Sequence, residues 1–258
     1  FRFARYALMN ALLVFNLVCL VWGGFWLFGG FAAALMLATL IDEAVGDDLT
    51  PPGAAPKRFL DAMLVATLPL IALNSLLLAH HVASGDPLGL LALLNWFGVD
   101  FAAGRAATNW IALTGGIMAL GLFLGAAAIN VAHELVHRTE RRWALSIGRW
   151  LLAFCGDTTF AIEHVYGHHR TVATDADPAT ARRGEYVLAF AWRSIVDGNR
   201  GAFRFEAERL KRKSLLAWSW ANRALSWQAA TLAIAAVWWL IAGWLGVFVF
   251  LLCALQGK

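Results

Sequence analysis

Charge is scarce in this chain: Asp, Glu, Lys and Arg make up only 15% of its 258 residues. An ordinary soluble domain carries about 25%, so a water-facing surface of the usual kind cannot be built here. Cysteine is scarcer still. Cys19, Cys155 and Cys253 lie far apart in apolar surroundings, which leaves neither a disulfide framework nor a CxxC metal pair. Internal repeats and low-complexity tracts are missing, and no cleavable signal with a small-residue cleavage site is expected. What fills the chain instead is apolar: 60% hydrophobic residues and 13 Trp, with a mean hydropathy of +0.63. That composition points to a bilayer protein.

A spanning helix needs roughly 20 mostly apolar residues. The run 6–41 is too long for one span and is interrupted by Trp22-Gly23-Gly24 and by Gly29-Gly30. It reads as a tight helical hairpin with spans at 6–22 and 25–41. A polar linker comes next at 42–58, where Pro51-Pro52 forbids helix continuation. The third span is 59–82, and a short apolar piece at 89–98 belongs in or near the interface. The fourth, 108–132, contains GLFLG from Gly121 to Gly125, a GxxxG spacing that permits close helix packing. Residues 143–162 are apolar but carry Arg149 and Asp157, and read as partly immersed or re-entrant. Spans at 228–243 and 245–257 bring the total to about six. The expected fold is all-α, a polytopic transmembrane helical bundle forming a single domain over 1–258, with a histidine-rich cap at 133–214.

Lys and Arg near span ends set orientation. Residues 133–214 hold 14 of the 21 Lys and Arg, against 10 Asp and Glu, so this segment is expected in the cytoplasm. Parity then places Arg2, Arg5, Lys57 and Arg58 on the same side, and the 84–107 loop outside. Arg141 and Arg142, Arg182 and Arg183, and Lys211-Arg212-Lys213 suit positive-inside anchors and lipid-headgroup contacts. No nucleic-acid-binding motif accompanies the charge, so nucleic acid is not an expected partner.

Five of the seven histidines fall in two patches, HELVHR at 133–138 and EHVYGHHRTVATDADPATAR at 163–182. His133 and His137 are i, i+4 and share a helix face. His164 and His168 repeat the spacing, and His169 on an ordinary α-helix would be turned about 100° from His168. Unneeded polar groups are costly near lipid, so two such pairs plus a dipeptide point to a metal site. His80 and His81, by contrast, end the third span on the opposite side and read as interfacial residues. HELVH by itself also matches the HExxH zinc-hydrolase signature, in which Glu134 would be the general base. That reading leaves the second patch unexplained. Imidazole-rich ligation suits iron, zinc and copper alike.

The two patches closely resemble the first two histidine boxes of the bacterial membrane alkane 1-monooxygenases and xylene monooxygenases. These belong to the desaturase/hydroxylase superfamily of integral-membrane di-iron enzymes. The form E-H-x-x-G-H-H-x-x-V-A-T-x-x-D-P-A, from Glu163 to Ala179, carries the resemblance, and FRFEAERLKRK at 203–213 is similar to the family's basic stretch. The resemblance implies that His133, His137, His164, His168 and His169 ligate two non-haem iron ions. It implies O2-dependent terminal hydroxylation of alkanes to primary alcohols, with electrons from rubredoxin and rubredoxin reductase upstream. Xylene-type aromatic methyl groups or other lipid chains are the alternative substrates, and an intramembrane zinc protease is the alternative class. The implied location is the bacterial inner membrane, multi-pass, with the boxes on the cytoplasmic side and alkane drawn from the bilayer. Ligating histidines commonly donate their second N–H to a carboxylate, which makes Glu134, Glu163, Asp175 and Asp177 candidates for orienting them. The basic groups named above become candidates for docking the electron donor. The family carries further histidine boxes downstream, so the resemblance implies additional ligands beyond Lys258, and 1–258 is expected to hold only the N-terminal part of the catalytic unit.

Overall fold

The long apolar runs fold as helices broken where glycine interrupts them. The structure, a computed structural model, describes residues 3–45 and 56–258, and no strand occurs among the described residues. The expected linker turn at Pro51-Pro52 and the N-terminal Arg2 lie outside the described residues. Among the described residues, four helices are long and apolar enough to cross a membrane: Arg5–Trp22, Lys57–His81, Trp110–Val136 and Arg223–Gly257. The second arm expected from the sequence appears as a shorter apolar helix, Gly24–Leu40. The two expected C-terminal arms are both present within Arg223–Gly257, divided where Ala242 and Gly243 leave helical geometry.

Both breaks use the same device. Gly23 sits at φ +68°, ψ −164°, and Gly243 at φ +60°, ψ −152°. This region is open essentially only to glycine. The chain reverses at each point. The rings of Trp238 and Phe250 lie 6.1 Å apart, whereas twelve residues of straight helix would separate them by about 18 Å.

The described chain forms two compact units, Phe1–Val131 with Ala235–Lys258, and Ala132–Ile234. In the first, hydrogen bonds tie the Leu8–Trp22 helix to Lys57–His81. Asn10 Nδ2 donates to Met63 O (2.9 Å), Asn16 Nδ2 to Asn74 Oδ1 (2.7 Å), and a His81 ring nitrogen to Leu20 O (2.7 Å). The partners ascend in the same order, so these two helices run parallel. Lipid supplies no hydrophobic drive between helices, and polar pairs and small residues do this work. The GxxxG glycines act as their spacing predicts: Gly121 faces Gln256 and Gly125 faces Gly257. Gly24 N–H donates to Thr108 Oγ1 (2.8 Å), and His81, Thr108, Trp110 and Leu245 line one cleft. The first hairpin turn, the 82–109 connection and the last turn therefore share one end of this unit. His80 and His81 are not solvated interfacial residues: His80 is buried and bonds its own Leu76 carbonyl (2.9 Å), while His81 packs edge-on against Phe101.

The second unit carries both histidine patches. The expected immersed segment 143–162 divides at Cys155–Thr159 into helices Arg142–Phe154 and Phe160–Glu163. Gly148 lets the first of these approach Ala132, Leu135 and Val136, beside the first box. The long Val187–Lys211 helix closes over the second box, around buried Ile162, Ala202 and Ala224 with Tyr166, Phe203 and Phe205 packed on them. Glu206, 1% exposed, anchors the corner after this helix. Its carboxylate accepts from Arg209 Nε and Nη2 and from Arg223 N, Nε and Nη2, all at 2.7–3.0 Å.

Candidate metal centre

His133 and His137 project from the final turn of the Trp110–Val136 helix and the residue just after it. The second box does not continue as a regular α-helix. His164–His168 forms a π-turn, whose i→i+5 bonding widens the turn. Residues four and five positions after His164 then flank it, instead of one of them being carried around the helix. His169 Nε2 accordingly lies 3.0 Å from His164 Nε2. His137 Nε2 is 3.2 Å from the same atom. Ligand nitrogens of His133, His137, His164 and His169 all fall within 4.8 Å of one another.

This arrangement fits a cation. One nitrogen of His164 faces two others at hydrogen-bond distance, and a single N–H cannot bridge both. Two nitrogens bound to one ion at metal–nitrogen distances of about 2.1 Å stand roughly 3.0–3.4 Å apart. Two of the rings, His164 and His137, are also biased toward the neutral form that ligation requires. Burial first, then the neighbouring His133, His169, His137 and His168, push His164 down to about 3. Burial, His133 and His169 lower His137 in the same sense, against a smaller opposing pull from Glu134.

His168 stands beside the four without being one of them. Its ring stacks on His164 at 5.2 Å, and its Nδ1–H donates to Asp177 Oδ2 at 2.9 Å. Asp177 is 1% exposed and also accepts from Thr180 Oγ1 (2.5 Å) and Ala179 N (3.0 Å). Burial alone would raise its pKa, but these donors hold it below the usual carboxylate range. The contact leaves Nε2 of His168 as the nitrogen available to a metal.

The other acids are disposed differently. Glu134 is turned onto Arg138, accepting from Nη2 at 2.8 Å. Glu163 is buried against Gly167, where an added Cβ would stand 2.6 Å from its Oε1. Burial, then the Asp177 charge, raise its pKa. Asp175 is exposed on the rim of a cleft of about 500 Å³ that Glu163 and Arg182 also line. Arg141, Arg142 and Arg183 are exposed outside that cleft, as are Lys211, Arg212 and Lys213 at the end of the long helix.

Two contributors were not read from the sequence. Phe160 stacks on His164 at 4.6 Å, with 10° between planes, and meets His133 edge-on at 6.1 Å. Its place one turn before His164 was the available signal. Tyr166, inside the second box, lies under the Arg223 guanidinium at 5.9 Å.

The model of the fatty acid desaturase family matches residues 108–257. Alkane 1-monooxygenase 2 of Pseudomonas aeruginosa is 31% identical over 222 residues, covering 83% of this chain and 53% of that protein. Alkane 1-monooxygenase 1 of Alcanivorax borkumensis is 31% identical over 219 residues, 82% of this chain and 45% of its own length. The xylene/toluene monooxygenase hydroxylase component of Pseudomonas putida is 29% identical over 232 residues, 89% of this chain and 57% of its own. The chain spans about half the length of the curated relatives it matches.

Proposed function

The chain belongs to the fatty acid desaturase family, and from that premise we propose that it is the membrane hydroxylase of an alkane-oxidising system. In this reading it inserts one oxygen atom from O2 into a terminal C–H bond and yields a primary alcohol and water. The observation that carries it is the convergence of His133, His137, His164 and His169, with His168 alongside. The relatives named alkane 1-monooxygenase support the reaction class.

His133, His137, His164, His168 and His169 would hold two non-haem iron ions, together with ligands from other segments. The bound iron supplies O2 activation and C–H oxidation, chemistry that protein side chains do not perform. The chain's own residues do the rest. The imidazoles would present ring-nitrogen lone pairs, and the Asp177 carboxylate keeps the His168 proton on Nδ1. Phe160 covers one face of His164 and limits water there. The apolar spans suit a substrate that reaches the enzyme dissolved in the bilayer. Rubredoxin would deliver electrons at the basic cytoplasmic surface, where Arg141, Arg142, Arg182 and Arg183 are the docking candidates. The cytoplasmic side for the boxes rests on the Lys and Arg distribution, and the bacterial inner membrane is proposed from the apolar helices together with the bacterial relatives.

A xylene-type substrate is the second reading, favoured by the xylene/toluene relative. A zinc protease built on HELVH is disfavoured by Glu134, which pairs with Arg138 and is not arranged as a base among the histidines. The test is metal content and product analysis on the protein with its electron donor. Iron with 1-alkanol product is expected, and replacing His133, His137, His164, His168 or His169 by Ala should remove both iron and product. His80→Ala should retain its iron. An iron-replete, active His164→Ala protein, or one zinc ion with peptide hydrolysis, would overturn the reading.

A further inference from the structure

The corner between the Val187–Lys211 helix and the last membrane helix has no role in the metal chemistry, yet it is built with care. Lys211, Arg212 and Lys213 are exposed, and no ion pair to them occurs among the described residues. Ser214 then takes φ +55° and turns the chain into LLAWSW. Backbone and side-chain bonds hold this turn in shape: Leu215 N–H to Leu210 O (3.0 Å), Ser219 N–H to Leu216 O (3.1 Å), Asn222 Nδ2 to Ala217 O (2.8 Å) and Arg209 Nη2 to Ala221 O (2.6 Å). A slack loop could fold its apolar groups inward. This one instead presents Leu216 at 80%, Trp218 at 82% and Trp220 at 75% exposure.

We infer that this corner is a lipid-anchoring surface that recognises the anionic headgroups of the bilayer. Trp is the residue suited to the boundary between headgroups and acyl chains, with an apolar ring and one N–H donor. Basic residues just outside a membrane helix are attracted to anionic lipid. Both features lie in one fixed turn, in the order charge then apolar, and Arg223 immediately after begins a helix long and apolar enough to span. That continuity holds the turn at the membrane surface, and the exposed positive charge selects an anionic surface over a neutral one. The inference rests on the membrane fold and not on the proposed metal or reaction.

The test places a single environment-sensitive fluorophore at Trp218→Cys, and in a second variant at Leu216→Cys, in the full protein reconstituted into nanodiscs. Cys19, Cys155 and Cys253 are buried and leave the introduced thiol as the reactive one. Brominated lipid is expected to quench the probe, and aqueous iodide is not. Lys211→Gln, Arg212→Gln and Lys213→Gln should each weaken retention of phosphatidylglycerol over phosphatidylcholine by roughly five-fold. Iodide quenching without lipid quenching would overturn the proposal. Protection from both quenchers would also overturn it, because another polypeptide would then cover the corner. Unchanged lipid preference in the triple Gln variant would refute the headgroup part.

Discussion

Replacing Asp177 by Asn should weaken metal binding without unfolding the site. The Asp177 carboxylate receives three hydrogen bonds, from His168 Nδ1 and Thr180 Oγ1 on Oδ2 and from Ala179 N on Oδ1. Asparagine keeps the shape but has one acceptor oxygen and no charge. Whichever way its amide turns, at least one donor faces an NH2 group, and the bond to His168 loses its charge assistance. Hydrogen bonds to charged groups contribute about 1.5–3 kcal/mol, so metal affinity should fall by about 10–100-fold, the range seen when such orienting partners are removed. The assay is competitive iron binding against a chelator of known affinity, with thermal melting run in parallel. Thr180→Val is the control: it removes one loop bond to Asp177 while leaving His168 its partner, and should leave iron affinity intact. Unchanged iron affinity in Asp177→Asn would refute the claim that this contact orients a ligand. Equal losses in Asp177→Asn and Thr180→Val would assign Asp177 to the loop alone.

Glu206→Gln should destabilise the second unit by about 3 kcal/mol, because a 1%-exposed carboxyl is held at about 2 instead of 4.5. Burial opposes this depression, and the hydrogen bonds from Arg209 and Arg223 overcome it. A depressed carboxyl stabilises the fold fully above pH 4.5 and loses that contribution as pH falls toward 2; acid titration of melting temperature should show the slope in the unmodified protein and lack it in the variant. Gly243→Ala should cost about 1–3 kcal/mol through backbone conformation alone, since a Cβ there would meet open space; an unchanged melting temperature would contradict the assigned turn. Single cysteines within 84–107 should react with an impermeant thiol reagent from outside intact cells, and cysteines within 190–210 should not; the reverse pattern would invert the proposed sidedness.

Much of this was legible in one dimension. Composition and run length identified a helical membrane protein, because a bilayer requires long stretches with few charges and internally satisfied backbone. Trp22-Gly23-Gly24 marked a real reversal, since glycine alone reaches the conformation found at Gly23. The break near 243 was readable for the same reason. The GxxxG spacing named a close-packed seam but could not name its partner, which Gln256 and Gly257 supply. Carboxylate roles were the least legible. Glu134 sits inside a histidine box yet bonds Arg138, while Asp177, nine residues after His168 in sequence, makes the histidine contact. Which acid reaches which ring depends on the return of the loop after the box, and residue spacing does not encode that return.

The sequence by itself determined the membrane class, the places where helices break, and the five histidines worth gathering. These come from local physics: hydropathy over a span, the φ range of glycine, the face shared by i and i+4. Tertiary structure decided which nitrogens meet. Only the π-turn at His164–His168, packed under the Val187–Lys211 helix, brings His169 to 3.0 Å from His164. A regular α-helix would have turned that ring away. The i→i+5 bonding of that turn is seen only in the folded chain, and residue spacing alone does not distinguish it from i→i+4 bonding.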